Sequence, residues 1–312
     1  MPRHTMDIRS FRMMLKSESR EAFKPLTKTE GGKETPAAIT PEGNPEEQGL
    51  IRDLKYYMIW QKAGWHPMEN DAYIPDTMKR FKLVDMRERY PELIHEAEQK
   101  KISYKDFLIN LLKTEDEGKS RRRQERLLDH AGFEYLKTLD QIDYSFNPSL
   151  DPDKIRELGT LRFLDAGENV LIVGPPGVGK TMIATGIGIQ ACQAGRKVLF
   201  TNANDLMDHL AESMQNGTLK ETFAELQKIP LLIIDELSYL KMDKEKESLF
   251  FQVVRQRYEK SSLIITTNLP PGRWDEIFTG KIAAAAILDR LVHHCHVISI
   301  TGDSYRVKGE KQ

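Results

Sequence analysis

The sequence predicts an α/β protein: an open five-stranded parallel sheet with helices on its faces, preceded by a small all-α N-terminal domain. Three observations predict it. From about residue 145 onward, short apolar runs alternate with helical stretches, the texture of parallel strands joined by crossover helices. The run VLIV at 170–173 leads into GPPGVGKT at 174–181, which fits G-x-x-x-x-G-K-[ST] in full and opens a helical stretch, the strand–loop–helix order that this motif requires. Between about 50 and 144, by contrast, apolar residues recur mostly at helical spacing.

Size and composition set the frame. At roughly 150 residues per domain, a chain of 312 residues holds about two domains, and 39% hydrophobic with 30% charged residues is globular usage. Cys192 and Cys295 are the two cysteines and form no C-x-x-C pair, so neither a disulfide framework nor a zinc module is expected and a reducing, cytoplasmic setting fits. The first twenty residues lack the apolar core of a signal peptide, and no uncharged apolar run of 18 occurs, so no membrane partner is expected. With 46 Lys+Arg against 47 Asp+Glu, a nucleic-acid partner must be held by local patches.

Element by element, residues 1–48 include the stretch PLTKTEGGKETPAAITPEGNPEEQ, the composition of a solvated extension. Residues 49–144 make the helical domain. Leu50, Ile51, Leu54, Tyr57 and Met58 mark a short helix ending near Gly64, and Trp60, Trp65 and Tyr73 suit a small core better than a base-stacking platform. A second helical block follows Pro75 and carries Phe81, Val84, Met86, Leu93, Ile94 and Ala97. Ser103 to Asp106 is an N-cap pattern, after which Phe107, Leu108, Leu111 and Leu112 form an apolar stripe expected to be buried. The same helix runs into Lys119, Arg121, Arg122, Arg123 and Arg126, which fit either phosphate contact or a solvated face. Residues 145–312 make the sheet domain, with strands expected at 169–173, 197–201, 231–235, 263–268 and 296–300 and a helix at 182–194. A ligand site is expected at the strands' carboxyl ends.

The chemistry-bearing residues cluster at those ends. In the nucleotide-binding stretch Gly174, Pro175, Pro176, Gly177, Val178, Gly179, Lys180, Thr181 and Met182, the glycines let the backbone curl so that N–H groups and the helix N-terminus face a phosphate. Lys180 is expected to reach the β- and γ-phosphates of ATP, and the Thr181 hydroxyl to ligate Mg2+. In LLIIDE, Asp235 is a second candidate Mg2+ ligand and Glu236 a candidate base that orients the attacking water; carboxylates at a strand end also serve as helix caps. Asn268, closing LIITTN, fits either a contact to the γ-phosphate or water, or a turn residue before Pro270 and Pro271. The run His293, His294, Cys295, His296 suggests metal at first sight. Consecutive strand residues alternate faces, however, so a structural role is expected.

Beyond these spacings, residues 77–307 resemble the IstB family, the helper ATPases of insertion-sequence transposition, and more distantly the DnaC helicase loaders. The resemblance rests on SYKDFLINLL (103–112), AGFEYLKTLD (131–140), GPPGVGKT, LLIIDELSYL (231–240), LFFQVVRQRYE (249–259), AAAILDRLVHH (284–294) and HVISITGDSYR (296–306). It implies an AAA+ P-loop ATPase core in a homo-oligomer with ATP between subunits. It assigns Asn268 to the first sensor position, Arg290 to the arginine finger supplied to a neighbour, and Arg306 to the second sensor. So few residues follow Arg306 that no C-terminal helical lid is expected. Residues 1–75 match nothing in the family pattern. The implied function is an ATPase that assembles on duplex target DNA and presents it to a partner transposase, the alternative being a DnaC-like loader that uses ATP as a switch on single-stranded DNA.

Overall fold

A computed structural model of the chain describes residues 72–239 and 242–305. The expectations for the extension 1–48, the helix at 50–58, Trp60, Trp65 and Arg306 lie outside these residues. The chain divides into two compact units, Met1–Pro75 and Asp76–Gln312, and the second carries the helical hairpin and the sheet.

Helix α1 is Tyr73–Arg80. Helices α2 (Val84–Lys100) and α3 (Tyr104–His130) follow, joined by a tight turn through left-handed Lys101, and they pack on each other. Ser103 caps α3 as its pattern predicts: its Oγ accepts from Asp106 N at 3.1 Å. The stripe after it differs from expectation. Phe107 and Leu111 are half-buried while Leu108 and Leu112 are each 54% exposed, because one partner helix covers only one side of the stripe.

The α2–α3 seam is polar instead. Met86 N donates to Glu115 Oε2 (3.1 Å), and Asp85 accepts from Arg121 Nη2 (3.1 Å) and from Arg122. The Arg122 guanidinium beside Asp85 holds that carboxyl below its ordinary range. The basic run is therefore engaged within the fold. Lys119 lies 3.6 Å from Glu115, Arg123 donates to Gly195 O (3.1 Å), and Arg126 donates to Arg122 O (3.1 Å). Arg121 and Arg122 brace α3 against α2 and Arg123 braces it against the turn before the second strand, while the Lys119 and Arg126 contacts lie within α3; the sequence alone does not reveal these partners.

The sheet contains β1 (Asn169–Val173), β2 (Val198–Asn202), β3 (Leu231–Asp235), β4 (Ser262–Thr267) and β5 (Cys295–Ser299), all parallel in the order β2-β3-β4-β1-β5. Its strands read as unbroken apolar runs because both faces are covered. Leu171, Val173, Leu232, Ile234, Leu263 and Ile265 face one core, with α7 (Ala203–Gln215), α8 (Leu219–Gln227), α9 (Lys244–Arg257) and α10 (Lys281–Val292) supplying its other side. Val170, Ile172, Leu231, Ile233 and Ile264 face the second core, shared with α4 (Pro152–Gly159), α5 (Arg162–Ala166) and α6 (Lys180–Gln193). This is the α/β fold expected of a P-loop ATPase core.

Between β3 and β4, Arg257 at the end of α9 is 3% exposed and donates to the carbonyls of Leu226, Ile229, Pro230 and Ser262. It ties the loops before β3 and β4 together, and burial pulls its basicity down to about 10. The residues of the histidine run divide as alternation requires. Cys295 packs against the first core, while His296 bonds Glu168 at 2.7 Å and meets the edge of Phe163, a member of the second. His293 takes a 3.0 Å bond with Tyr258, and His294 lies 3.8 Å from Glu259. Glu259, His293 and His294 bring ligand-capable atoms within 4.8 Å of one another, all on the exposed surface.

Candidate nucleotide-binding site

The strand order decides which side chains can meet. β4 lies between β1 and β3, so the loop after β1, the carboxylates closing β3 and the polar end of β4 share one edge of the sheet. Gly174 N donates to Thr267 O at 3.1 Å, pinning the start of the phosphate loop to β4. Gly177 has φ +79°, and a Cβ there would stand 2.1 Å from Ser304 Oγ. Glycine is needed at this point for both reasons. Tyr305 N in turn donates to Gly177 O at 2.8 Å, so the GDSY segment lies against the loop. Gly179, φ +96°, precedes α6, which starts at Lys180 rather than at the predicted 182.

Lys180 is 8% exposed, and its Nζ donates to Pro175 O (2.8 Å) and Asn268 Oδ1 (2.6 Å). Thr181 Oγ1 donates to the Asp235 carboxylate, 2.9 Å from Oδ2 and 3.2 Å from Oδ1. Asp235 is 6% exposed. Glu236 follows in a left-handed conformation, φ +58°, with its backbone N–H on Thr266 Oγ1 (2.9 Å) and its Oε2 3.5 Å from Asn202 Nδ2. Asn268 N donates to Ser238 Oγ at 3.0 Å, which holds the backbone at the strand end. Lys180, Thr181, Asp235, Glu236 and Asn268 thus belong to one constellation.

The cleft beside them is lined by Pro176–Ile183, Glu236, Asn268 and Tyr305, and on a further wall by residues of the 135–150 segment. Phe200 N donates to Ala131 O at 2.7 Å, and Ser149 Oγ and Thr301 exchange bonds of 2.9 and 3.0 Å, so this wall is fastened at both ends. It brings Tyr135, Lys137, Gln141, Phe146 and Asn147 to the cleft, with the Phe146 and Tyr305 rings 4.3 Å apart. A cationic, N–H-rich end and an aromatic end suit a phosphorylated aromatic ligand.

Arg290 is not among the residues lining this cleft. Its Nη1 donates to Ala286 O at 2.8 Å, and its guanidinium stands 5.0 Å from the Phe251 ring centre. Sequence reasoning did not single out Asn202, Ser238, Thr266 or the 135–150 wall. AGFEYLKTLD signals a family, but no spacing in it announces a ligand contact.

A family model described as IstB-like ATP binding protein matches residues 76–312. The chain belongs to the IstB-like ATP-binding family. It is 38% identical over 235 residues to a protein of insertion sequence IS21 from Pseudomonas aeruginosa, covering 75% of this chain and 89% of the relative, which is described as ATP-binding. A relative from insertion sequence IS5376 of Geobacillus stearothermophilus, described likewise, is 40% identical over 238 residues, 76% of this chain and 95% of that one. Among solved structures, a replication initiator DnaA bound to AMPPCP and single-stranded DNA superimposes with a TM-score of 0.47 at 19% identity, covering 55% of this chain and 52% of that one. The IstB-like match begins where the first compact unit ends, so residues 1–75 stand outside it. Among the described residues no helix is long and apolar enough to cross a membrane.

Proposed function

We propose that this IstB-like chain is the Mg2+-dependent ATPase of an insertion-sequence transposition system, acting in the cytoplasm. In this reading it assembles through ATP at its subunit interfaces on duplex DNA and presents that DNA to the transposase of the same element. The carrying observation is the contact of Thr181 Oγ1 with Asp235 at 2.9 Å, with Glu236 next in the chain. A hydroxyl and a carboxylate held together at the phosphate-loop helix are the hard oxygen donors that Mg2+ takes, so the residues fit the ion.

Mg2+ would neutralise charge developing on the phosphates. The chain's own residues do the rest. The phosphate-loop N–H groups and Lys180 hold the phosphates, Glu236 polarises a water, and Asn268 fixes the reacting end. Arg290, turned onto Phe251 and not into its own cleft, serves a neighbour's nucleotide, and Arg306 keeps the second-sensor role that the family resemblance implies. The insertion-sequence origin of the relatives supports transposition over helicase loading.

The test is binding of the purified protein to long duplex DNA and to single strands, with and without a non-hydrolysable ATP analogue, with K180A as control. Analogue-dependent assembly on duplex, lost in K180A, is expected. Binding confined to single strands would overturn the reading in favour of a DnaC-like loader.

A further inference from the structure

The acidic pair Asp235–Glu236 is held by a side chain that neither the motif nor the family description assigns. Thr266 lies near the carboxyl end of β4, fully buried, and its hydroxyl makes two bonds in opposite senses. Oγ1 donates its one proton to Asp235 Oδ1, and it accepts from the backbone N–H of Glu236 at 2.9 Å. A hydroxyl has one donor and two acceptor positions, so both bonds form at once.

Two consequences follow. Asp235 receives Thr181 from the phosphate-loop helix and Thr266 from β4, which fixes the carboxylate's rotation between the two elements. Glu236 has the left-handed backbone, φ +58°, that side-chain-bearing residues disfavour. The bond to Thr266 holds that conformation and so sets where the Glu236 side chain leaves the strand. The hydroxyl of the neighbouring Thr267 acts only locally, accepting from Leu269 N at 3.1 Å and shaping the turn after β4.

We propose that Thr266 is a positioning residue that sets the Mg2+-ligating rotamer of Asp235 and the backbone of Glu236 together. This rests on the ATPase reading above. Thr266 acts through the two residues it bonds, Asp235 and Glu236. T266V keeps shape and volume but loses the hydroxyl, leaving Asp235 one bond short and the Glu236 N–H unpaired. T266S keeps the hydroxyl and loses only a methyl group.

The experiment measures Mg2+ half-saturation twice for wild type, T266V and T266S: once in steady-state ATP turnover, and once in binding of a fluorescent non-hydrolysable ATP analogue. Affinity for the analogue in EDTA and the melting temperature without nucleotide are recorded alongside. Loss of an outer-shell partner typically costs about 10–100-fold in metal affinity or activity. T266V is expected to raise the Mg2+ half-saturation at least about tenfold in both assays and to leave analogue affinity in EDTA near wild type, while T266S stays within about threefold.

A purely packing role would lower the melting temperature without moving Mg2+ half-saturation, and that result would overturn the assignment. So would T266S as impaired as T266V. Should T266V not fold, T266A against T266S makes the same comparison with the same criteria. A wild-type protein that binds the analogue but never turns over ATP would defeat the hydrolytic reading, while the Mg2+ dependence of analogue binding would still decide the role of Thr266.

Discussion

Lys180 Nζ donates to Asn268 Oδ1 at 2.6 Å, tying the phosphate loop to the end of β4 and directing both groups at one point. In the proposed ATPase a phosphate held by the loop would meet the Lys180 charge and the Asn268 amide together. The two should nonetheless differ in effect. Lysine attracts every phosphorylated state, whereas the amide matters most at the reacting end. K180A is therefore expected to weaken nucleotide binding by about a hundredfold or more, since it removes a desolvated charge-assisted contact. N268A should weaken binding less than about tenfold but lower kcat by about 10²-fold, the loss typical of one preorganised donor. Analogue titration and steady-state turnover separate the two.

Glu236 stands one residue beyond the buried Asp235 and is itself only half-buried, which makes it the more solvent-accessible of the two carboxylates. E236Q keeps size and hydrogen-bonding capacity but removes the base. Turnover should fall by about 10²–10⁴-fold, with analogue binding and assembly intact. Normal hydrolysis by E236Q would show that another group activates the water.

The strands Asn169–Val173 and Leu231–Asp235 coincide with the runs read from sequence because each is an apolar run with sharp limits: Val170–Val173 lies between Asn169 and Gly174, and Leu231–Ile234 is closed by Asp235. At β2, β4 and β5 the predicted limits are displaced by a single residue, since the apolar run there passes gradually into polar turn residues. The linear part of the site was legible for the same reason: a phosphate loop is built from neighbours in the chain. Thr266 was not. Alternation assigns Thr266 and Thr267 to opposite faces, but only the placement of β4 beside β3 decides which meets Asp235. The arginines of α3 were illegible too, because Asp85 and Gly195, which engage them, lie far away in sequence.

Arg290 lies over Phe251, outside its own cleft lining, so its loss should leave nucleotide binding by an isolated subunit unchanged. If it completes a neighbour's site, R290A alone should lose at least about 10³-fold in kcat, the range attributed to arginine fingers. Mixing R290A with K180A should restore part of the activity, because an R290A subunit offers an intact phosphate loop and a K180A subunit an intact finger. Absence of rescue in mixtures shown to co-assemble would place Arg290 in a structural role on α10.

Gly118, midway along α3, offers a test of the helical hairpin in which helix propensity and packing predict opposite signs. Alanine in a helix interior is favoured over glycine by about 1 kcal/mol, so propensity alone predicts that G118A stabilises the protein. Packing opposes it. A Cβ at 118 would stand 2.0 Å from Asp85 Cγ and 2.2 Å from its farther oxygen. Asp85 cannot turn away cheaply, because Arg121 and Arg122 hold its two oxygens. The helices must separate or the ion cluster must break. Overpacking of this kind costs about 1–3 kcal/mol, which outweighs the propensity gain over most of that range. G118A should therefore lower the denaturation midpoint, measured in urea with an unchanged slope, and D85A/G118A should recover part of the loss relative to D85A alone because the obstructing carboxylate is gone. A midpoint raised by G118A would mean that α2 and α3 do not meet at this glycine in solution.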